Sequence, residues 1–298
     1  MEKISKELLE ELFEDSSFST EETISQIMKI QKGEKVAVLG FDVLSYSQMT
    51  EPSQTLLPYL IRRIIKKTID DLRIYEPCIF IDVLPKFDQK TVIDVGDGGF
   101  YFLPTPLHSV IFALYMEAVV RDFNANLLWK NLRSVVEPIK IRYALSYDLV
   151  FKYEDIQNHY GTGIINCARI LAKDKLDRFL IDENSYLWFM KNIHGLESLK
   201  VIELEFLKFL PHFRNPNRGD NIEYKSFSIP EARSYDTPGI DNAFILKVGK
   251  IKSKENILSI YSVHLQMSYK YLNKVDTYES VWKMITVSLG NLNSMGLE

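Results

Sequence analysis

The sequence predicts an α/β sandwich, an α+β arrangement in which helices cover an antiparallel sheet, and three observations lead there. Lys35–Val43 (KVAVLGFDV) is a short apolar run of the kind that forms a buried strand, GDGG at 96–99 supplies a tight hairpin turn, and helical periods alternate with such runs in the order βαββαβ. The length of 298 residues and a hydrophobic content of 46% are ample for a large core.

Taken in order, residues 4–14 and 20–30 read as short helices. The second is opened by Ser19 or Thr20, with acids in its first turn as a helix dipole prefers, and residues 1–32 form a helical N-terminal arm. After the first strand, residues 53–75 have helical periodicity, with Leu56, Leu60, Ile64 and Ile65 inward and the RRIIKK charges on a solvated face. Residues 78–103 read as two or three strands around the GDGG turn, 107–124 as a helix, and 138–153 as a strand pair. Gly161 and Gly163 lead into the helix IINCARILA, RFLID is a further strand, and ENSYLWFMKNI is a helix. These elements form a domain over 33–195. The remainder, 196–298, is a C-terminal arm and extension: irregular from Pro211 to Gly239, then strands over 240–251 and 259–272, then a last helix over 277–293.

Composition excludes several classes. A net charge of -4 argues against a surface devoted to nucleic acid, which must neutralise many phosphates. No apolar run approaches the roughly 20 residues of a membrane span, and the acidic start is unlike a signal peptide, so a cytoplasmic protein is expected. Cys78 and Cys167 both lie in apolar segments, which supports buried thiols rather than a disulfide scaffold or a zinc site.

The chemistry concentrates in three places. Asp42 ends a strand whose core would otherwise reject an acid, Asp97 sits in the GDGG turn, and Arg169 lies in the helix after Gly161. Two carboxylates able to hold metal ions and an arginine able to meet a charged transition state make a phosphoryl-transfer site.

On these residues the chain resembles the class III nucleotidyl cyclases, with matching motifs from about residue 35 to 183. FDVLSYS matches the family's strand-end aspartate and phosphate-binding turn, VGDGG its second aspartate, and Gly161 with Arg169 its glycine-led helix. The resemblance implies two divalent ions, Mn²⁺ or Mg²⁺, held by Asp42 and Asp97 and touched by the Val43 carbonyl. It further implies a triphosphate cradled by the amides of Leu44, Ser45 and Tyr46, Arg142 reaching the terminal phosphates, and Arg169 on the reacting phosphate. It implies a homodimer with composite sites, the aspartates of one protomer facing the arginine of its partner.

Departures from the pattern carry information. The family's transition-state asparagine, four residues before the arginine, aligns with Ile165, and Asn166 stands one place later, about 100° around the helix. Either a small helix shift lets Asn166 act or that role is lost. Ile93 and Asn158 occupy the base-selecting positions, matching neither purine set. An apolar wall discriminates bases weakly, but Tyr46 beside Ile93 would shorten the pocket to fit a single ring, with Asn158 facing a pyrimidine edge. That combination, and FDVLSYSQM in particular, resembles the pyrimidine cyclases of bacterial anti-phage cyclic-nucleotide signalling (Pycsar), which implies UTP or CTP as substrate. A purine-specific class III cyclase and a nucleotide-binding pseudocyclase are the alternatives.

Overall fold

The structure, a computed structural model, describes residues 33–83, 92–94, 96–125, 128–153, 158–192, 239–252, 257–274, 280–290 and 297, with residues 6, 7, 11, 24 and 25 of the N-terminal stretch. The expected irregular arm before Gly239, and most of both N-terminal helices, lie outside the described residues.

The described strands are β1 (Glu34–Val43), β2 (Val92–Asp94), β3 (Gly98–Leu103), β4 (Ile141–Tyr153), β5 (Asn158–Tyr160), β6 (Phe179–Asp182), β7 (Gly239–Lys252), β8 (Ile257–Lys274) and β9 (Ser280–Leu289). They form one sheet in the order β2-β3-β1-β4-β6-β8-β7, with β5 paired to β4 and β9 to β8. Each pairing is antiparallel except β4 with β6. That pair is parallel because helix α5 (Thr162–Lys173) stands between the two strands in sequence and carries the chain back across the sheet.

Side-chain alternation divides the core between the two faces of the sheet. Ala37, Leu39, Phe41 and Val43 of β1 join Tyr101, Leu103, Tyr143 and Leu145 under α1 (Glu51–Tyr75) and α3 (Pro106–Asn124). Val38 and Ala144 face the other way, under Cys167, Ile170 and Leu171 of α5. Strand β1 is thus buried on both faces, which is why its sequence is nearly continuous in apolar residues. The described helices also include two short ones, α2 (Pro77–Phe80) and α4 (Lys130–Arg133), and α6 (Glu183–Lys191).

Three element expectations change. Residues 78–80 belong to a helical turn, because Pro77 sits at the first helical position directly after α1. Residues 141–153 are one strand rather than two: no glycine or proline interrupts them, and Asp148 stays in register opposite Val36. The last helix is replaced by β9, which pairs from Leu265↔Leu289 to Lys274↔Ser280 along β8. The segment is rich in β-branched residues (Val281, Ile285, Thr286, Val287), and a long strand with an open edge supplies the hydrogen bonds that select extended backbone.

Candidate active site

Strand β1 places Asp42 one residue from its end, opposite Gly98 of β3 on one side and Arg142 of β4 on the other. Even-numbered residues of β1 face the α5 side, so Asp42 leaves the sheet on that face, beyond the helix-covered Val38 and Gly40. Asp97 sits in the turn before β3, and its carbonyl accepts a hydrogen bond from the Val43 amide at 3.1 Å. The two acids therefore share one strand end.

This proximity demands glycine at position 98. A Cβ there would stand 2.3 Å from the Phe41 carbonyl oxygen, so only glycine lets β3 approach β1 where the acids meet. Gly161 has the same role at the start of α5, with φ 140 and a would-be Cβ 2.3 Å from the Leu149 carbonyl oxygen.

Electrostatics at the strand end are strained. Burial pushes the Asp42 carboxyl above its ordinary value, the Arg142 guanidinium pulls it back, and the charge of Asp97 adds to the rise. The Asp97 carboxyl makes no hydrogen bond or ion pair among the described residues. Arg142 donates from Nε to Asp42 Oδ2 at 2.7 Å, makes a second contact to that oxygen through Nη2, and donates from Nη1 to the Asp174 carbonyl. Asp174 is in turn held by Arg178 at 2.8 Å, both side chains being 2% exposed.

The donor set fits a hard divalent cation: two carboxylates and the nearby Val43 backbone are all-oxygen ligands, and a guanidinium already occupies the positive side of Asp42. Among the described residues no group of three or more His, Cys, Asp or Glu gathers into a metal cluster, so the acids stand as a pair.

The turn after β1 differs in part from expectation. The Leu44 amide is occupied, donating to the Lys140 carbonyl at 2.9 Å. Ser45 adopts a left-handed conformation (φ 61, ψ 29) that opens a 3-10 turn over Tyr46–Gln48, and the Ser45 and Tyr46 amides make no hydrogen bond among the described residues. Two of the three expected amides are thus open to an anion. The Tyr46 ring packs against the α1-side core and its hydroxyl donates to the Gln54 carbonyl at 3.2 Å. It closes the turn onto α1, the core taking the ring and a helix carbonyl taking the hydroxyl.

Ile93 lies in β2 opposite Phe100. Asn158 begins β5, its side chain bonded to the Tyr160 hydroxyl and the His159 amide. Helix α5 buries Cys167, a free thiol pushed up by burial, with Sγ 3.4 Å from the Ala144 carbonyl. Its opposite face carries Arg169, exposed and without hydrogen bond or ion pair among the described residues, so the ordinary surface ion pair is absent there. Asn166 is half-buried and Ile165 is 47% exposed. Asp42 and Asp97 thus lie at the β1–β3 strand end, and Arg169 lies on the exposed face of α5.

Sequence reasoning passed over Glu117. It is the one acid in the apolar run IFALYMEAVV, and that isolation was the available signal. It lines a cavity of about 190 Å³ with Arg121, Asn124, Tyr143 and Asp177, and burial pushes its carboxyl up to about 7.

No helix among the described residues is long and apolar enough to cross a membrane. No family model matches the chain, and no curated protein does. Among solved structures the chain is similar to the adenylyl cyclase CyaB from P. aeruginosa, with 13% identity, 77% of this chain and 93% of that chain covered, and a TM-score of 0.39. It is similar to the catalytic core of a rhodopsin-guanylyl cyclase with converted specificity in complex with ATPalphaS (10% identity, 78% and 95% covered, TM-score 0.45). A third likeness is to adenylate cyclases from Trypanosoma brucei (10% identity, 76% and 88% covered, TM-score 0.41).

Proposed function

We propose that the chain is a metal-dependent pyrimidine nucleotide cyclase that converts UTP or CTP to 3′,5′-cyclic UMP or cyclic CMP plus pyrophosphate, as a second-messenger synthase in bacterial anti-phage defence. The observation that carries the reaction class is the meeting of Asp42 and Asp97 at one strand end, with an arginine across the register. In the reaction a bond forms between the ribose 3′ oxygen and the α-phosphorus. The bond from that phosphorus to the bridging oxygen breaks, its electron pair leaves with pyrophosphate, and the hydroxyl proton passes to solvent.

Divalent ions, when bound, lower the pKa of the 3′ hydroxyl and neutralise the phosphates. Asp42 and Asp97 hold them, with the Val43 carbonyl as a further ligand. The Ser45 and Tyr46 amides orient the triphosphate, and Arg142 binds its terminal phosphates. Arg169 stabilises the negative charge that builds on the α-phosphate. The resemblance implies a homodimer in which one protomer's acids face its partner's arginine, and the exposed position of Arg169 on α5 is compatible with that. Pyrimidine choice rests on Ile93 and Asn158, where a purine reader carries other residues; an amide at 158 suits uracil and cytosine alike.

The test is incubation of the purified protein with each of the four NTPs and Mn²⁺, followed by separation of cyclic from linear nucleotides. A cyclic pyrimidine product with pyrophosphate is expected, and Asp42→Ala or Asp97→Ala abolishes it. Recovery of only linear nucleotides overturns the reading, and a purine product moves it to an adenylate or guanylate cyclase. One observation favours a second reading, a pseudocyclase that binds nucleotide without turnover: exposed Ile165 stands at the position four residues before Arg169. Mn²⁺-dependent nucleotide binding without pyrophosphate release identifies it.

A further inference from the structure

Arg142 has surroundings that a fixed structural ion pair does not account for. It faces Asp42 across the β1–β4 register and closes on a single carboxylate oxygen, Oδ2, through two nitrogens, while its third grip is the Asp174 carbonyl at the end of α5. The pair is not sealed: Arg142 and Asp42 are 21% and 20% exposed. Beside it stands Asp97, a second carboxylate without a cation of its own among the described residues.

We propose that Arg142 is a resident counter-cation for Asp42, an autoinhibitory latch that holds the acid strand end together before metal arrives and must let go for a divalent ion to bind. The latch rests on the metal-dependent reading given above and adds an order of events to it. Three features support it. Two neighbouring acids repel unless a positive charge lies between or beside them, and Arg142 is the cation in contact with Asp42 among the described residues. A guanidinium and a divalent ion placed on one carboxylate repel each other, so each lowers the other's occupancy by the same factor. The grip on the Asp174 carbonyl gives the latch a firm seat, since Asp174 is fixed by the buried Arg178 pair. Once released, the partly exposed guanidinium is free to meet the phosphates that accompany the metal, so metal loading and phosphate binding reinforce each other.

The experiment measures Mn²⁺ binding to the full chain without nucleotide, by electron paramagnetic resonance of free Mn²⁺, for the native protein, Arg142→Gln and Arg142→Lys. Losing one charge-assisted pair tightens Mn²⁺ binding in Arg142→Gln by roughly ten- to a hundredfold. Arg142→Lys, which keeps the charge and loses the two-nitrogen grip, falls between. The same variants melt lower than the native protein without Mn²⁺ and gain more in melting temperature when it is added. A purely structural arginine gives the opposite sign, weaker Mn²⁺ binding when it is removed. Equal or weaker binding in a folded variant, while the native protein binds Mn²⁺, overturns the latch and leaves the metal site standing. Absence of Mn²⁺ binding in every variant overturns both. If Arg142→Gln does not fold, Arg142→Lys decides by the same comparison.

Discussion

Replacing Glu117 by glutamine removes a titration from the interior of the protein, and the structure sets its size. Glu117 Oε1 accepts from Arg121 Nε at 3.0 Å and Oε2 accepts from the Tyr143 hydroxyl at 3.3 Å, yet the side chain is only 16% exposed. Burial outweighs both partners and lifts the carboxyl from 4.5 to about 7. A carboxyl whose value rises on folding binds its proton more tightly in the native state. Its stabilising contribution is therefore complete below the unfolded value of 4.5 and is lost as pH rises through 7. The gap between 4.5 and about 7 corresponds to roughly 3 kcal/mol, most of which falls between pH 5 and pH 8. Urea unfolding of the native protein and Glu117→Gln across that range reads the difference directly. The native protein loses roughly 2 to 3 kcal/mol relative to the variant on going from pH 5 to pH 8. A difference constant to within about 0.5 kcal/mol would show that the carboxyl ionises as it does in water, and the burial argument would fail.

Other perturbations have equally definite outcomes. Gly98→Ala drives a methyl into the Phe41 carbonyl, so β3 must move from β1; a stability loss of at least about 2 kcal/mol in urea unfolding is expected, and Mn²⁺ binding weakens with it. On the proposed reading, Arg169→Ala lowers turnover on the order of 10²- to 10³-fold. It leaves the melting temperature unchanged, because the side chain is exposed and without a hydrogen bond or ion pair among the described residues. Tyr46→Ala costs about 2 to 3 kcal/mol in urea unfolding, since a ring packed on the core and a bond to Gln54 are lost, and it leaves the preference among the four NTPs as it was. A change of base preference without loss of stability would put Tyr46 at the pocket wall.

The local chemistry of the chain was enough to determine that Lys35–Val43 forms a strand with an acid at its end, that GDGG makes a turn and that residues from Thr162 form a helix. Each depends on neighbours within a few residues: apolar runs, glycine at positive φ, and helical period. Tertiary structure alone decided what those residues touch. Strand register put Arg142 against Asp42, 100 residues away in sequence. The chain before β4 took the Leu44 amide, and α1 took the Tyr46 hydroxyl. The edge of β8 turned residues 280–289 from the expected helix into a strand. Hydrogen bonds and ion pairs between distant segments are fixed by how the layers stack, and a single carbonyl or sheet edge in the right place outweighs the few tenths of a kcal/mol by which local propensity prefers another answer.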